Sequence, residues 1–225
     1  PLRLTTAAVR TTFVEAADFA TTASAIAVDI PIGLADRGFR ECDIVAQGMM
    51  SPFTGKVFKL SPRRAIMAKT VAERHRLHRE LTGQGLPPPA AAFAPKVAEV
   101  NVWMLEHGKP QDRVFEVHPE LCFRALNGGT PVAESKHVPA GLRVRYGLLR
   151  PFFRDQDVAA WARGFLAGKP ASAVKEDDVV DAIVACVTGA TWTPETTIPG
   201  PEPPRDSCGF RMEMRCPPLK GRKKG

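Results

Sequence analysis

The spacing of apolar and polar positions changes several times along the chain, and each change marks an element. Residues 24–32 (SAIAVDIPI) and 112–118 (DRVFEVH) are short apolar runs, closed by Pro31 with Gly33 and by Pro119. Runs of this length, apolar on both sides, predict strands of a sheet covered on both faces. A period near 3.6 predicts helices over 12–22, 61–83, 95–107, 119–126, 141–154, 155–167 and 174–192. Ser61 and Pro62 open the second of these and Gly83 stops it, while Pro95 opens the third. The last has an acidic first turn followed by an apolar stripe of Val179, Ile183, Cys186, Val187 and Ala190. LPPPAAAFAP (86–95) reads as a semi-rigid connector and TPETTIPGPEPP (193–204) as a Pro-rich linker. GFRMEMRC (209–216) alternates like an edge strand.

Strands alternating with helices predict an α/β layered fold. The expected organisation is one domain over 1–193 with a helical insertion at about 36–110. A linker and strand at 194–216 and a basic tail at 217–225 follow it. The 225 residues, 44% hydrophobic and 24% charged, suit a soluble globular domain with a real core. No apolar run nears the roughly 18–20 residues that span a bilayer, and there is no signal-peptide pattern. Pro1 stands where a Met would, which reads as a processed or truncated product.

Five cysteines without a CxxC pair argue against zinc and for a reducing, cytoplasmic compartment. Cys122 and Cys186 lie in apolar surroundings and read as buried. The net charge of +7 owes much to Lys220, Arg222, Lys223 and Lys224; without them 27 basic residues face 24 acidic ones, a balance of +3. That tail is either a phosphate-attracting arm or a solubilising end. No GxxxxGK[ST] loop, GxGxxG fingerprint or GxSxG elbow occurs, which removes the strongest support for kinase, dehydrogenase and serine-hydrolase chemistry.

The candidate chemistry lies in carboxylates set into apolar sequence, where charges are rarely placed unless paired or metal-bound. Asp29 stands near the carboxyl end of the first strand, the place where α/β sheets bind ligands. Glu116 and His118, two apart, share one face of the second strand, and Glu120 follows in the turn. A helix-start role explains Glu120 equally well. Asp177 and Asp178 fit the first turn of a helix, but Asp181 lies one turn further in and repels both. A bound cation, or an Arg or Lys nearby, would relieve that repulsion. Residues 63–79 concentrate six basic side chains, among them Arg63 and Arg64, as a solvated face or a phosphate-contact surface.

The strings VDIPIGL (28–34), RECD (40–43), FEVHPELCFRALNG (115–128), SKHVPAGLRVRYGLL (135–149) and EDDVVDAIVA (176–185) resemble domain-of-unknown-function family 429 over roughly residues 25–215. The resemblance implies a predicted nuclease with a ribonuclease H-like mixed sheet flanked by helices. It implies a pair of Mg²⁺ or Mn²⁺ ions with Asp29, Glu116, Asp178 and Asp181 as ligands or their close support, and His118 either behind the ligands or in proton transfer. It also implies phosphate contacts by Lys136 and Arg143; the residues themselves add Glu120 and Asp177 as supporting carboxylates and Arg63 and Arg64 as further phosphate contacts. The family opens with a Gly-x-Asp-Gly strand that this chain lacks, so the expectation is a ribonuclease H-like domain without its first strand. A metal-dependent nuclease acting on nucleic acid is the leading reading. The alternatives are an inactive nucleic-acid- or protein-binding module, and a small-molecule phosphohydrolase or nucleotide binder. The predicted partner is nucleic acid rather than membrane.

Overall fold

The structure is a computed structural model that describes residues 1–219; the basic cluster at 220–224 lies outside the described residues. Its elements run α1 (Phe13–Phe19), β1 (Ile26–Val28), α2 (Glu41–Met49), α3 (Arg63–Ile66), α4 (Val71–Thr82), α5 (Pro88–Glu106), β2 (Val114–Glu116), α6 (Pro119–Leu126), α7 (Pro139–Leu149), α8 (Val158–Leu166), α9 (Glu176–Thr191), β3 (Thr197–Ile198) and β4 (Met214–Arg215). Helix and strand are mixed, as an α/β arrangement requires.

The strands are shorter than their apolar runs. β1 and β2 form a parallel pair in which Val28 lies opposite Glu116. β3 and β4 form a separate antiparallel pair. Both faces of the parallel pair are covered. Phe115 packs with Cys122, Phe123, Val180 and Val184 from α6 and α9. Val28 and Val114 pack with Phe13, Val100 and Met104 from α1 and α5. Double coverage explains why these strands read as continuous apolar runs.

Several expectations are corrected. Residues 61–83 form two helices, because Thr70 caps a fresh start at α4 by accepting from the Glu73 amide. Ser61 caps nothing; its hydroxyl pairs with His78 Nδ1 at 2.9 Å. Gly83 does stop α4, in the left-handed region at φ 71°. Residues 86–95 are no connector: α5 begins at Pro88 and carries Pro95 in its interior. Apolar burial of Ala90, Ala94, Val97 and Val100 outweighs the one backbone bond that Pro95 forgoes. The Pro-rich 193–204 segment contains β3, which β4 pairs with, so it docks rather than links. On α9 the buried face is Val179, Val180, Ile183, Val184 and Val187; Cys186 is exposed and Ala190 lies outside it. No helix among the described residues is long and apolar enough to cross a membrane.

Candidate functional site

The carboxyl ends of β1 and β2 open into a cleft with a cavity volume of about 420 Å³. Asp29 follows directly after β1, and His118 and Glu120 follow β2. Asp181 enters from α9 and Lys136 from the loop before α7. Sequence positions more than a hundred residues apart thus share one concave surface.

The turn that carries Asp29 is clamped from below. The Ile32 amide donates to Glu116 Oε2 at 2.7 Å. Arg40 donates to both Glu116 oxygens, at 2.7 and 2.9 Å. The same guanidinium meets Asp43 at 2.5 Å, and Asp43 also accepts from the Leu60 amide at 2.9 Å. Arg40, Asp43 and Glu116 are all buried. Burial raises the Glu116 pKa to about 6 against the pull of Arg40. Glu116 therefore has its oxygens engaged as a strut under the Asp29 turn. Gly33 closes that turn at φ 83°, and a Cβ there would stand 2.9 Å from the Arg211 carbonyl oxygen.

A second strut holds the loop that carries Lys136. Buried Arg145 donates to both oxygens of Glu120, at 2.7 and 3.0 Å. It also donates to the carbonyls of Glu134 at 3.0 Å and Gly141 at 3.2 Å. Lys56 approaches Glu120 at 3.5 Å from the open side. Helix α7 packs so tightly on this loop that a Cβ on Gly141 would lie 1.9 Å from the Ser135 carbonyl oxygen.

Between the struts, Lys136 Nζ lies 2.5 Å from Asp181 Oδ2. The other oxygen, Asp181 Oδ1, is buried without a hydrogen-bond partner. Asp29 keeps solvent on its open side. Lost solvation and then the charge of Asp181 raise its pKa to about 7, with Lys136 pulling the other way. Water at the mouth screens part of this repulsion. Burial likewise raises Asp181 against the pull of Lys136. Burial also works against the Lys136 ammonium, but Asp181 and then Glu120 hold its pKa above the usual lysine value. His118 is half-buried; burial lowers its pKa, while a hydrogen bond with the Lys56 backbone opposes the shift. Its Nδ1 has no partner. With the ring proton on the nitrogen that faces Lys56, Nδ1 is a bare lone pair.

Of the residues expected at a site, Asp29, Glu116, His118, Glu120, Lys136 and Asp181 meet in this cleft. Asp177 lies beside it, 3.1 Å from His137 Nδ1. Asp178 does not enter, because its side chain caps α9 by accepting from the Lys175 amide at 2.8 Å. Arg143 is exposed on α7; Arg145, two positions on, is the arginine turned inward. Arg63 is tied to Asp206 at 2.5 Å and to Asn101 at 3.1 Å. Arg64 faces Glu80 at 3.7 Å. Neither reaches the cleft. The residues missed were Arg40, Asp43, Lys56 and Arg145. The RECD string did carry a signal, an opposite-charge pair at i, i+3; Lys56 carried none.

Among the described residues no group of three or more His, Cys, Asp and Glu side chains is placed to hold a metal ion. Of the cleft's carboxylates, Asp43 and Glu116 are engaged by Arg40 and Glu120 by Arg145, which leaves Asp29 and Asp181, with one orphaned buried oxygen. That donor set fits a single hydrated hard cation. Mg²⁺ in particular takes one or two carboxylates and fills the rest of its shell with water and substrate phosphate oxygens.

The family model described as protein of unknown function (DUF429) matches residues 2–205, so the chain belongs to that family. No curated protein matches it, and no solved structure does.

Proposed function

We propose that this member of the DUF429 family is a divalent-metal-dependent hydrolase of phosphodiester bonds in nucleic acid, built on a ribonuclease H-like arrangement. The observation that carries the reading is the Asp29–Asp181 pair. Two like-charged carboxylates share one cleft, one of them with a buried oxygen that nothing satisfies. Lys136 offsets only one of the two charges and leaves Asp181 Oδ1 unpaired, so a second cation would lower the remaining cost. A Mg²⁺ or Mn²⁺ bound by Asp29 and Asp181 would supply Lewis-acid stabilisation of phosphoryl oxygens.

The chain's own groups do the rest. Lys136 and Lys56 present ammonium groups to the negative charge of a phosphodiester. His118, its pKa lowered by burial, lines the cleft with Nδ1 unpaired and closed to solvent, so it serves as a positioning residue beside the carboxylates. Glu116 with Arg40 and Glu120 with Arg145 position the two loops without touching substrate. Asp178, as a cap, takes no part.

The test is nicking of a supercoiled plasmid and a single-stranded RNA in Mn²⁺. Asp181→Asn should abolish cleavage and Asp178→Asn should retain it. Absence of cleavage on both substrates, or equal loss in both variants, would sink the proposal.

A further inference from the structure

The cleft has an apolar half that the phosphate chemistry does not use. Ile30, Phe58 and Phe93 line it together with Asp29, Lys136 and Asp181. All three pack on one buried cluster that includes Leu34, Leu60 and Val97, so they form a continuous wall. Phe93 comes from α5 and Phe58 from the loop before α3. Their rings meet edge to face, with centroids 5.9 Å apart and planes at 83°. Edge-to-face contact leaves ring surface uncovered, and both residues are only partly buried. Ile30 is the chain neighbour of Asp29, so the wall starts where the carboxylates end.

We propose that this wall takes a single nucleobase, so that the cleft recognises one nucleoside phosphate unit. The ring lies against Phe58 and Phe93, and the phosphate lies toward Lys136 and the Asp29–Asp181 pair. The inference rests on the phosphate-directed reading of the charged half given above. Size favours one unit over a stacked run: about 420 Å³ falls in the range of roughly 300–1,000 Å³ typical of small-ligand sites. Stacking suits the wall because every base has an aromatic face. None of the basic side chains at 63–79 lines this cleft. Arg63 is held by Asp206, Arg74 by the Ala68 and Ala91 carbonyls, and Arg76 by Glu80.

Calorimetric titration of the full chain with adenosine 5′-monophosphate and with ribose 5-phosphate, in Mg²⁺ and again in EDTA, tests this. Neither ligand contains a phosphodiester, so binding is read without turnover. The nucleotide should bind about tenfold tighter than the sugar phosphate. Phe58→Leu and Phe93→Leu keep the apolar character and remove the ring; circular dichroism checks that both stay folded. Each should shrink the margin while leaving ribose 5-phosphate binding unchanged. Equal affinity for the two ligands, or a margin that survives both substitutions, overturns the proposal even if Mn²⁺-dependent cleavage is found. A persistent margin without any cleavage removes the hydrolase reading and keeps this one. Competition by a 5′-phosphorylated trinucleotide assigns the pocket to a strand end; failure to compete assigns it to free nucleotides.

Discussion

Arg145 and Arg143 sit two residues apart on α7 and should behave as opposites. Arg145 is fully buried, and Arg143 is exposed. Arg145→Met removes two charge-assisted bonds to Glu120 and bonds to one loop carbonyl, Glu134, and one carbonyl of α7, Gly141. Breaking a buried pair by deleting one partner costs about 3–5 kcal/mol, because the remaining charge is stranded. Two features reduce that here. Lys56 stays 3.5 Å from Glu120, and the Met side chain returns roughly 1 kcal/mol of apolar burial. The expected loss is about 2–4 kcal/mol. Urea unfolding at pH 7.5 measures it, with an unchanged m value showing that both states keep their compactness. Arg143→Met should stay within about 0.5 kcal/mol of wild type. The double variant Arg145→Met with Glu120→Leu leaves only the partly exposed Lys56 without its carboxylate and should recover much of the loss. An Arg145→Met protein within about 1 kcal/mol of wild type, or a double variant no better than the single, refutes the strut.

Three further outcomes are expected. The Glu116 pKa of about 6 lies above its ordinary 4.5, so the folded protein holds a proton that the unfolded chain releases between those values. That contribution to stability is present below pH 4.5 and is lost as pH rises through 6; Glu116→Gln should lack this fall in a pH series of urea midpoints. Mg²⁺ or Mn²⁺ should raise the melting temperature of the wild type, by about 2.7 kcal/mol of stability at a hundredfold excess over Kd, and leave Asp29→Asn unmoved. A shift of equal size in the variant excludes Asp29 as a ligand. Gly141→Ala should cost about 1–3 kcal/mol by calorimetric melting, since its Cβ would press on the Ser135 carbonyl and push the Lys136 loop aside. An unshifted melting curve contradicts that packing.

Family membership and the local order of the chain were legible in one dimension. Apolar runs located both parallel strands, and Pro119, Gly83 and the acidic start of α9 marked element ends. Asp29 and Asp181 stood out as well, Asp29 as a lone carboxylate in an apolar stretch and Asp181 as a like charge one turn beyond Asp177 and Asp178. Boundaries failed where local propensity met tertiary burial: Pro95 looks like a helix start but sits inside α5, and Thr70 splits one apparent helix into two. The Pro-rich 193–204 segment looked unattached because a two-residue pairing with β4 leaves no periodic trace.

Within the carboxylate set, periodicity could place Asp177, Asp178 and Asp181 on one helix but not say which turned inward. Packing of α9 on α6 and β1 decided that, sending Asp181 to the cleft and Asp178 to the cap. Spacing put Glu116 and His118 on one face, yet only the fold showed Glu116 engaged by Arg40 from 76 residues away. Likewise nothing local distinguishes Arg145 from Arg143 until Glu120 stands opposite one of them. Helix and strand periods are short-range consequences of backbone geometry, so a sequence displays them directly. Charge partners are chosen by burial: once water is excluded, each ionised group must find its opposite wherever the chain has brought it. The chain could therefore announce which residues were out of place, and only its folding determined which became struts and which were left with a buried, unpaired oxygen.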